Sequence, residues 1–254
     1  MIARQHTPTG EENRDMDAPL PISPPSPLLT FREASAGIEL IKLLASLPAL
    51  SRLPRALGEP VMVLPGFGTG DRTTVILRTF LRQLGYRVSG WGLGLNSGNV
   101  PELIPEVTQS VAARAAQENQ PLRLVGWSLG GYLAREAARD LPDQVDRVIT
   151  LGSPIIGGPR FTTTAGLYRA AGTDFEEIDA FIAERERTPI QVPVTAVYSK
   201  SDGVVDWRAC IDRTSPLVEH VRVRSSHVGL GFAPEVLRII ATRLARPWPE
   251  KGRS

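Results

Sequence analysis

The sequence predicts an α/β protein with a mainly parallel central sheet, and three observations carry this prediction. Apolar runs typical of buried strands alternate along the chain with helical patterns. A glycine-flanked serine, in Gly126-Trp127-Ser128-Leu129-Gly130, stands between one such run and an alanine-rich helical pattern. Two further polar residues, Asp202 and His227, each follow a strand-like run. Ligands of parallel sheets bind beyond the carboxyl ends of the strands, so we expect these three residues at one edge of the sheet.

The predicted elements follow one another in the order that strand-helix-strand units require. Strands are predicted at residues 61–64, 86–91, 122–125, 145–151, 194–198 and 218–223. Helices are predicted at residues 72–84, 101–119, 129–140 and 234–244. Each connection is long enough for a right-handed crossover, which favours a single parallel sheet covered by helices.

Composition restricts the classes of protein that this chain can be. With 254 residues and 42% hydrophobic residues, it can bury one large core. Its 29 basic and 27 acidic residues are too closely balanced to indicate a nucleic-acid partner. The single cysteine, Cys210, cannot form an intrachain disulfide, which favours a reducing compartment and a cytoplasmic location.

The N-terminal region divides into two parts. Residues 1–30 are polar, charged and rich in proline, and we expect a disordered tail there instead of a signal peptide. Residues 31–47 place apolar side chains on one helical face but are too few and too charged to span a bilayer. Two interpretations stay open: a helix packed on the domain 31–254, or a helix lying on a membrane as a peripheral contact.

The setting of Ser128 predicts a catalytic nucleophile. A serine on a sharp turn between a strand and a helix has a strained backbone that exposes its hydroxyl group. The glycines at positions 126 and 130 remove side chains that would collide with the adjoining strand and helix.

Candidates for the partners of this serine come from the later strands. His227 is preferred as the base, because His6 lies in the tail and His220 lies inside a strand pattern. Asp202 is preferred as the acid, since an Asp-Gly turn projects its carboxylate from the strand end. We expect Asp206 to cap the helix that follows.

The order Ser, Asp, His and the strand-end positions of these residues resemble the α/β-hydrolase superfamily, and within it the small bacterial lipases and esterases. The resemblance covers residues 58–246. It includes Leu64-Pro65-Gly66-Phe67-Gly68 after the first strand, where many relatives have His-Gly and this chain has a proline. The turn Leu151-Gly152-Ser153-Pro154 is also similar to that of such lipases.

This resemblance implies a three-layer α/β-hydrolase fold with a mainly parallel sheet and a short helical lid. It also implies acyl transfer to water by Ser128, with His227 as general base and Asp202 orienting the imidazole. The backbone amides of Phe67 and Leu129 would form the oxyanion hole. No cofactor and no metal ion are expected.

The predicted lid lies at residues 153–191, between two strands. Its apolar side chains are interleaved with charges, as expected of a short helical insertion. Phe175 and Phe181, together with Trp127, are expected to line an acyl pocket; the alternative is that they only pack the insertion onto the domain. The pocket interpretation favours an ester with a moderately apolar acyl group.

Three functions agree with these residues. The first is a carboxylic ester hydrolase acting on a small-molecule ester or lipid. The second is an acyl-thioester hydrolase or acyltransferase that uses the same triad. The third is a non-catalytic, hydrolase-like binding protein.

Overall fold

A parallel six-stranded sheet forms the centre of the molecule. The computed structural model describes residues 22–170 and 172–247. Every neighbouring pair of strands is parallel. The strands are Pro60–Leu64 (β1), Arg87–Gly90 (β2), Leu122–Trp127 (β3), Val145–Leu151 (β4), Val194–Ser199 (β5) and Val218–Val223 (β6), in the spatial order β2-β1-β3-β4-β5-β6.

Helices cover both faces of this sheet. They are Pro27–Phe31 (α1), Ala36–Leu50 (α2), Val75–Gln83 (α3), Val100–Glu118 (α4), Leu129–Asp140 (α5), Ala165–Ala170 (α6), Phe175–Glu186 (α7) and Pro234–Leu244 (α8). Helices α2, α3 and α8 pack on one face, and α4 and α5 pack on the other. The result is the predicted three-layer arrangement.

Strand β1 shows why the strands are continuous apolar runs. Val61 and Val63 belong to the core under α3 and α8, while Met62 and Leu64 belong to the core under α4 and α5. Successive side chains of a strand point to opposite faces, so a strand covered on both sides must be apolar at every position. All five residues of β1 are buried.

The sequence-based elements agree closely with this architecture. All six predicted strands and all four predicted helices are present, with ends that differ by a few residues at most. The insertion at residues 153–191, called the lid below, contains α6 and α7. It joins β4 to β5, as the sequence predicted. Among the described residues, no helix is both long and apolar enough to cross a membrane.

One boundary needs correction. Residues 1–21 of the predicted tail lie outside the described residues, but residues 22–30 do not form a disordered tail. Ile22 is buried beside Tyr198 and Val205, and the Thr30 hydroxyl donates a hydrogen bond to the Gly203 carbonyl at 3.0 Å. The proline-rich composition did not reveal these contacts, because both depend on residues far away in the chain.

Residues 22–50, called the N-terminal segment below, pack on the domain with one side only. A short 3₁₀ helix, Arg32–Ser35, joins α1 to α2. Leu43 and Leu50 of α2 are buried in the core that includes α8. The opposite side of α2 exposes Ile41 at 68% and other apolar side chains. Helix α2 therefore packs on the domain with one face and exposes a second apolar face to solvent.

Candidate active site

Ser128 occupies the sharp turn that the sequence predicted. It lies between β3 and α5 with φ 54° and ψ −127°, a left-handed conformation that is unusual for a residue with a side chain. Its backbone N–H donates to the Leu151 carbonyl at 2.8 Å, which ties the turn to β4. The neighbouring strand therefore holds the strained turn in place, and Ser128 lies at the carboxyl ends of the strands.

The two glycines around Ser128 permit this turn for the reason inferred from the sequence. A Cβ atom on Gly126 would lie 2.3 Å from the Gly130 carbonyl oxygen. A Cβ atom on Gly130 would lie 2.5 Å from the carbonyl oxygens of Leu64 and Pro65. Any side chain at either position would push α5 away from the sheet.

Asp202 and His227 are in direct contact. The His227 Nδ1 and Asp202 Oδ2 atoms lie 2.7 Å apart, and both side chains are buried. The other carboxylate oxygen, Oδ1, accepts hydrogen bonds from the N–H groups of Val204 and Val205, each at 2.8 Å. The carboxylate is thereby held in one orientation facing the imidazole.

Asp206 and His220, the residues not preferred as acid and base, make contacts outside the candidate site. Asp206 is the N-cap of the 3₁₀ helix Trp207–Cys210 and accepts a hydrogen bond from the Arg208 N–H, as expected of a capping residue. His220 lies within β6, where its Nε2 accepts a hydrogen bond from the Asp212 N–H at 3.0 Å. Neither residue lines the cavity that contains Ser128.

The electrostatic setting of His227 favours the imidazolium form. Burial by itself would lower its pKa, but the charge and the hydrogen bond of Asp202, with a further contribution from Glu33, raise the pKa above its ordinary value. A base with this arrangement accepts a proton readily and stabilises the positive charge that results.

Phe67 and Leu129, whose backbone amides were predicted to form the oxyanion hole, both line the cavity. Leu129 begins α5, and a first-turn N–H group has no acceptor within its own helix. The loop of Phe67 passes close to the serine, since a Cβ atom on Gly66 would lie 3.1 Å from the Ser128 Cβ. The two backbone segments thus converge on the Ser128 side chain.

Asn96 supports this loop and was missed by sequence reasoning. It is fully buried, and its Nδ2 donates to the Pro65 carbonyl at 3.0 Å. Its backbone carbonyl accepts from the Gly68 N–H at 2.9 Å. The available signal was a polar residue shortly after β2, at the same edge of the sheet as Ser128.

A cavity of about 880 Å³ contains Ser128 and His227 in its wall. Trp127 lines it, and the Trp127 Nε1 donates to the His227 carbonyl at 3.1 Å. The lid contributes an apolar group of side chains: Leu167, Tyr168, Ile178, Phe181 and Ile182. Tyr168 packs on Phe67 with ring centroids 5.1 Å apart, and burial raises the pKa of its phenol to about 12, which keeps it neutral.

Phe175 does not line this cavity, so its predicted role in substrate binding is wrong in this structure. Its ring packs against the guanidinium groups of Arg160 and Arg169, with distances of 5.6 and 5.1 Å to the ring centroid. Phe175 begins α7 and Phe181 lies six residues later. Because six residues turn a helix by about 600°, the two rings point about 120° apart and face different surroundings.

Two carboxylates of the N-terminal segment also reach the loops of Asp202 and His227, and sequence reasoning missed them as residues of the site. Glu33 and Glu39 accept hydrogen bonds from the segment that carries His227. In the sequence they look like ordinary charges on the polar side of a helix.

Comparisons with known proteins agree with the fold. No family model matches the chain. A pimeloyl-[acyl-carrier protein] methyl ester esterase of Aliivibrio salmonicida is 34% identical over 115 residues. This alignment covers 43% of the chain and only 40% of that relative.

Solved structures match over most of the chain at low identity. A Bacillus licheniformis lipase in its mature form has a TM-score of 0.59 at 14% identity, covering 76% of this chain and 94% of its own. The naproxen esterase of Bacillus subtilis has a TM-score of 0.55 at 12% identity, covering 83% and 98%. The predicted α/β-hydrolase fold is therefore confirmed by a lipase and an esterase that share it at low identity.

Proposed function

We propose that this protein is a serine hydrolase that cleaves carboxylic esters through an acyl-enzyme. The observation that carries the proposal is the buried pair of Asp202 and His227, joined at 2.7 Å, in the wall of the cavity that also contains the strained Ser128. A nucleophile, a base and a group that orients the base are the parts that this reaction needs.

In the proposed reaction, Ser128 Oγ attacks the ester carbonyl carbon while His227 Nε2 takes the hydroxyl proton. Asp202 accepts the Nδ1–H hydrogen bond, which fixes the tautomer and stabilises the imidazolium. The tetrahedral intermediate collapses when the carbon–oxygen bond breaks, and the leaving alcohol takes the proton from Nε2. Water then repeats both steps on the acyl-serine and frees the acid.

The negative oxygen of the intermediate would be held by the N–H groups of Phe67 and Leu129. A donor of this kind is typically worth about 3 kcal/mol of transition-state stabilisation. Both donors belong to the backbone, so the proline at position 65, where many relatives have histidine, leaves them in place.

The wall of the cavity favours an uncharged, moderately apolar acyl group. Among the described residues that line it there is no lysine or arginine, whereas Asp174 and Glu177 are present. An anionic acyl group would face these carboxylates without a lysine or arginine to offset its charge. Apolar side chains of the lid would instead gain from covering a hydrocarbon chain.

The activity is tested with a fluorophosphonate probe and a substrate panel. We expect the probe to label Ser128 in the wild-type protein and to leave the Ser128→Ala variant unlabelled, since the probe reacts only with an activated serine. Labelling of a different serine would contradict the assignment. Absence of any labelling would favour a non-catalytic binding protein.

The panel decides between oxygen esters and thioesters. We expect p-nitrophenyl butyrate and octanoate to be cleaved with a higher kcat/KM than butyryl-CoA and octanoyl-CoA. The described residues of the cavity wall include no lysine or arginine for the phosphates of coenzyme A. The partial similarity to an esterase of pimeloyl-[acyl-carrier protein] methyl ester makes a carrier-bound methyl ester the second candidate substrate. A preference for acyl-CoA would instead identify a thioesterase or acyltransferase.

We further propose that the outer face of residues 31–47 makes a peripheral contact with an anionic lipid surface. Ile38, Ile41 and Leu44 are all more than half exposed on this face. Glu39 is buried, so the charged side chains exposed between residues 36 and 55 are Lys42, Arg52 and Arg55, all cationic. An apolar helix face bordered by cations suits an anionic interface.

Vesicle co-sedimentation tests this contact. We expect the protein to pellet with vesicles that contain phosphatidylserine and to stay in solution with pure phosphatidylcholine. Ile41→Glu should abolish pelleting, whereas Leu217→Glu, at an exposed leucine far along the chain, should not. If the protein is a dimer without lipid and Ile41→Glu makes it a monomer, the face binds a second copy and the lipid proposal is wrong. Cell fractionation would test the predicted cytoplasmic location.

A further inference from the structure

The N-terminal segment reaches the two loops that carry the catalytic acid and base. Glu33 Oε1 accepts hydrogen bonds from the Gly203 N–H at 2.8 Å and from the His227 N–H at 2.9 Å. Glu33 Oε2 accepts one from the Val228 N–H at 2.9 Å. One carboxylate thus joins the residue after Asp202 to His227 itself, although Glu33 is more than 160 residues away from both loops in the chain.

Glu39 adds a second attachment six residues further along the segment. Its Oε1 accepts from the Ser226 N–H at 3.0 Å, and its Oε2 accepts from the Ser225 hydroxyl at 3.0 Å. A Cβ atom on Gly229 would overlap the Glu39 carboxylate. The loop from Ser225 to Gly229 is therefore fitted closely around this side chain.

The acid loop fits the segment equally closely. A Cβ atom on Gly203 would lie 2.3 Å from the Leu29 carbonyl oxygen, and the Thr30 hydroxyl donates to the Gly203 carbonyl. Both loops thus have backbone groups that turn toward the N-terminal segment and find their partners there. Such loop donors and acceptors would otherwise need water.

We propose that Glu33 is a positioning residue for the catalytic pair, holding the loops of Asp202 and His227 together through three backbone N–H groups. The inference rests on the proposed hydrolase function and adds to it a part that lies outside the triad. A carboxylate suits this task because it accepts several hydrogen bonds at once, and bonds to a charged acceptor are shorter and stronger than neutral ones. Glu33 does not touch the substrate cavity; it acts through the backbone of the residues that do.

Two variants of Glu33 separate positioning from simple packing. Glu33→Ala removes all three acceptor contacts, and we expect kcat to fall by about 10- to 100-fold with KM within about threefold, since a shift of the base by about 1 Å can cost 100-fold. Glu33→Gln keeps the shape and one acceptor oxygen, so we expect a smaller fall in kcat. The matched control is Glu235→Ala, which removes a glutamate that accepts from the Arg224 N–H before the same loop. We expect its kcat to stay within about twofold of wild type.

The pH profile supplies a readout that a purely structural role would not move. The charged groups that act on the His227 imidazole are Asp202 and Glu33, while Asp174 and Glu177 line the same cavity. Because the negative charge of Glu33 raises the pKa of His227, Glu33→Gln should lower that pKa. The base must be neutral to act, so the acid limb of kcat/KM should move to lower pH. Glu235→Ala should leave it in place.

The same quantity can be measured without catalysis. The chain has only three histidines, so the imidazole signal of His227 can be followed by NMR titration in the wild type and in Glu33→Gln. If no serine is labelled, the hydrolase proposal fails while this titration still tests the contact. The inference is overturned if both variants fold and keep kcat within twofold of wild type. It is also overturned if kcat falls only in step with the melting temperature while the His227 titration is unchanged.

Discussion

Two helical additions contact the candidate active site, one at the loops of Asp202 and His227 and the other at the cavity, and they do so with different chemistry. The N-terminal segment meets the loops of Asp202 and His227 through carboxylates that accept from backbone N–H groups. The lid meets the cavity through apolar side chains such as Tyr168, Ile178 and Phe181. One addition contacts the backbone around Asp202 and His227, and the other lines the cavity.

For the proposed hydrolase activity, this difference predicts which kinetic quantity each addition affects. Hydrogen bonds are directional, so the carboxylates of the N-terminal segment fix positions and should affect turnover of every substrate alike. Apolar contacts are non-directional and scale with the area covered, so the lid should affect substrates according to the length of their acyl chain. Variants that remove a residue of the proposed triad should show the largest loss of turnover, and the effects of the two additions can be compared with that loss.

The largest expected effect is loss of the nucleophile or the base. Ser128→Ala or His227→Ala should lower kcat by at least about 10⁴-fold, because the hydroxyl is a weak nucleophile without its base. His220→Ala is the control; it should keep most of the turnover, since its ring contacts the Asp212 N–H outside the cavity. Ester hydrolysis by the purified variants measures the effect. Equal losses in the two histidine variants would show that the base is misassigned.

The next effect concerns the acid. Asp202→Asn should lower kcat by about 10⁴-fold, since an amide facing Nδ1 favours the wrong tautomer of His227. Asp206→Asn should keep turnover and cost at most about 1 kcal/mol of folding stability through its weaker cap. Kinetics and thermal unfolding of both variants measure the two quantities. The reverse ranking would exchange the roles of these aspartates.

A smaller and selective effect is expected from the lid. Phe181→Ala should lower kcat/KM for octanoate esters by about 10-fold and for acetate by less than about twofold, because each lost methylene contact is worth about 0.8 kcal/mol. Phe175→Ala is the matched control, since its ring packs on Arg160 and Arg169 outside the cavity wall. A chain-length series on folded variants decides the question. A uniform loss across all chain lengths for Phe181→Ala would give the lid the same role as the N-terminal segment.

The smallest effect is expected at the very N-terminus. Deleting residues 1–21 should leave turnover and melting temperature nearly unchanged, because their polar composition offers little to a packed core. Deleting residues 1–30 should lower the melting temperature, since it removes buried Ile22 and the hydrogen bond from Thr30 to Gly203. Thermal unfolding of the two truncated proteins tests both expectations. An equal response would mean that residues 22–30 contribute no stability.

Much of this structure could be predicted because its signals are local. The strands are apolar runs buried on both faces, and the serine turn needs glycines at positions 126 and 130 to avoid backbone collisions. The Asp-Gly turn after β5 and the histidine after β6 then follow from the rule that parallel sheets gather such residues at one edge. Phe175 was misplaced because helical periodicity shows that a ring is apolar but not which neighbour it meets.

The sequence by itself determined the layer architecture, the order of strands and helices along the chain and the three candidate catalytic residues, since each depends on residue types within a short stretch. Only the tertiary structure decided that Glu33 and Glu39 contact the loops around Asp202 and His227, that residues 22–30 are anchored, and that Phe181 but not Phe175 lines the cavity. These facts depend on which distant segments meet. A glutamate on a helix has the same local appearance whether it faces water or accepts hydrogen bonds from a loop almost two hundred residues away.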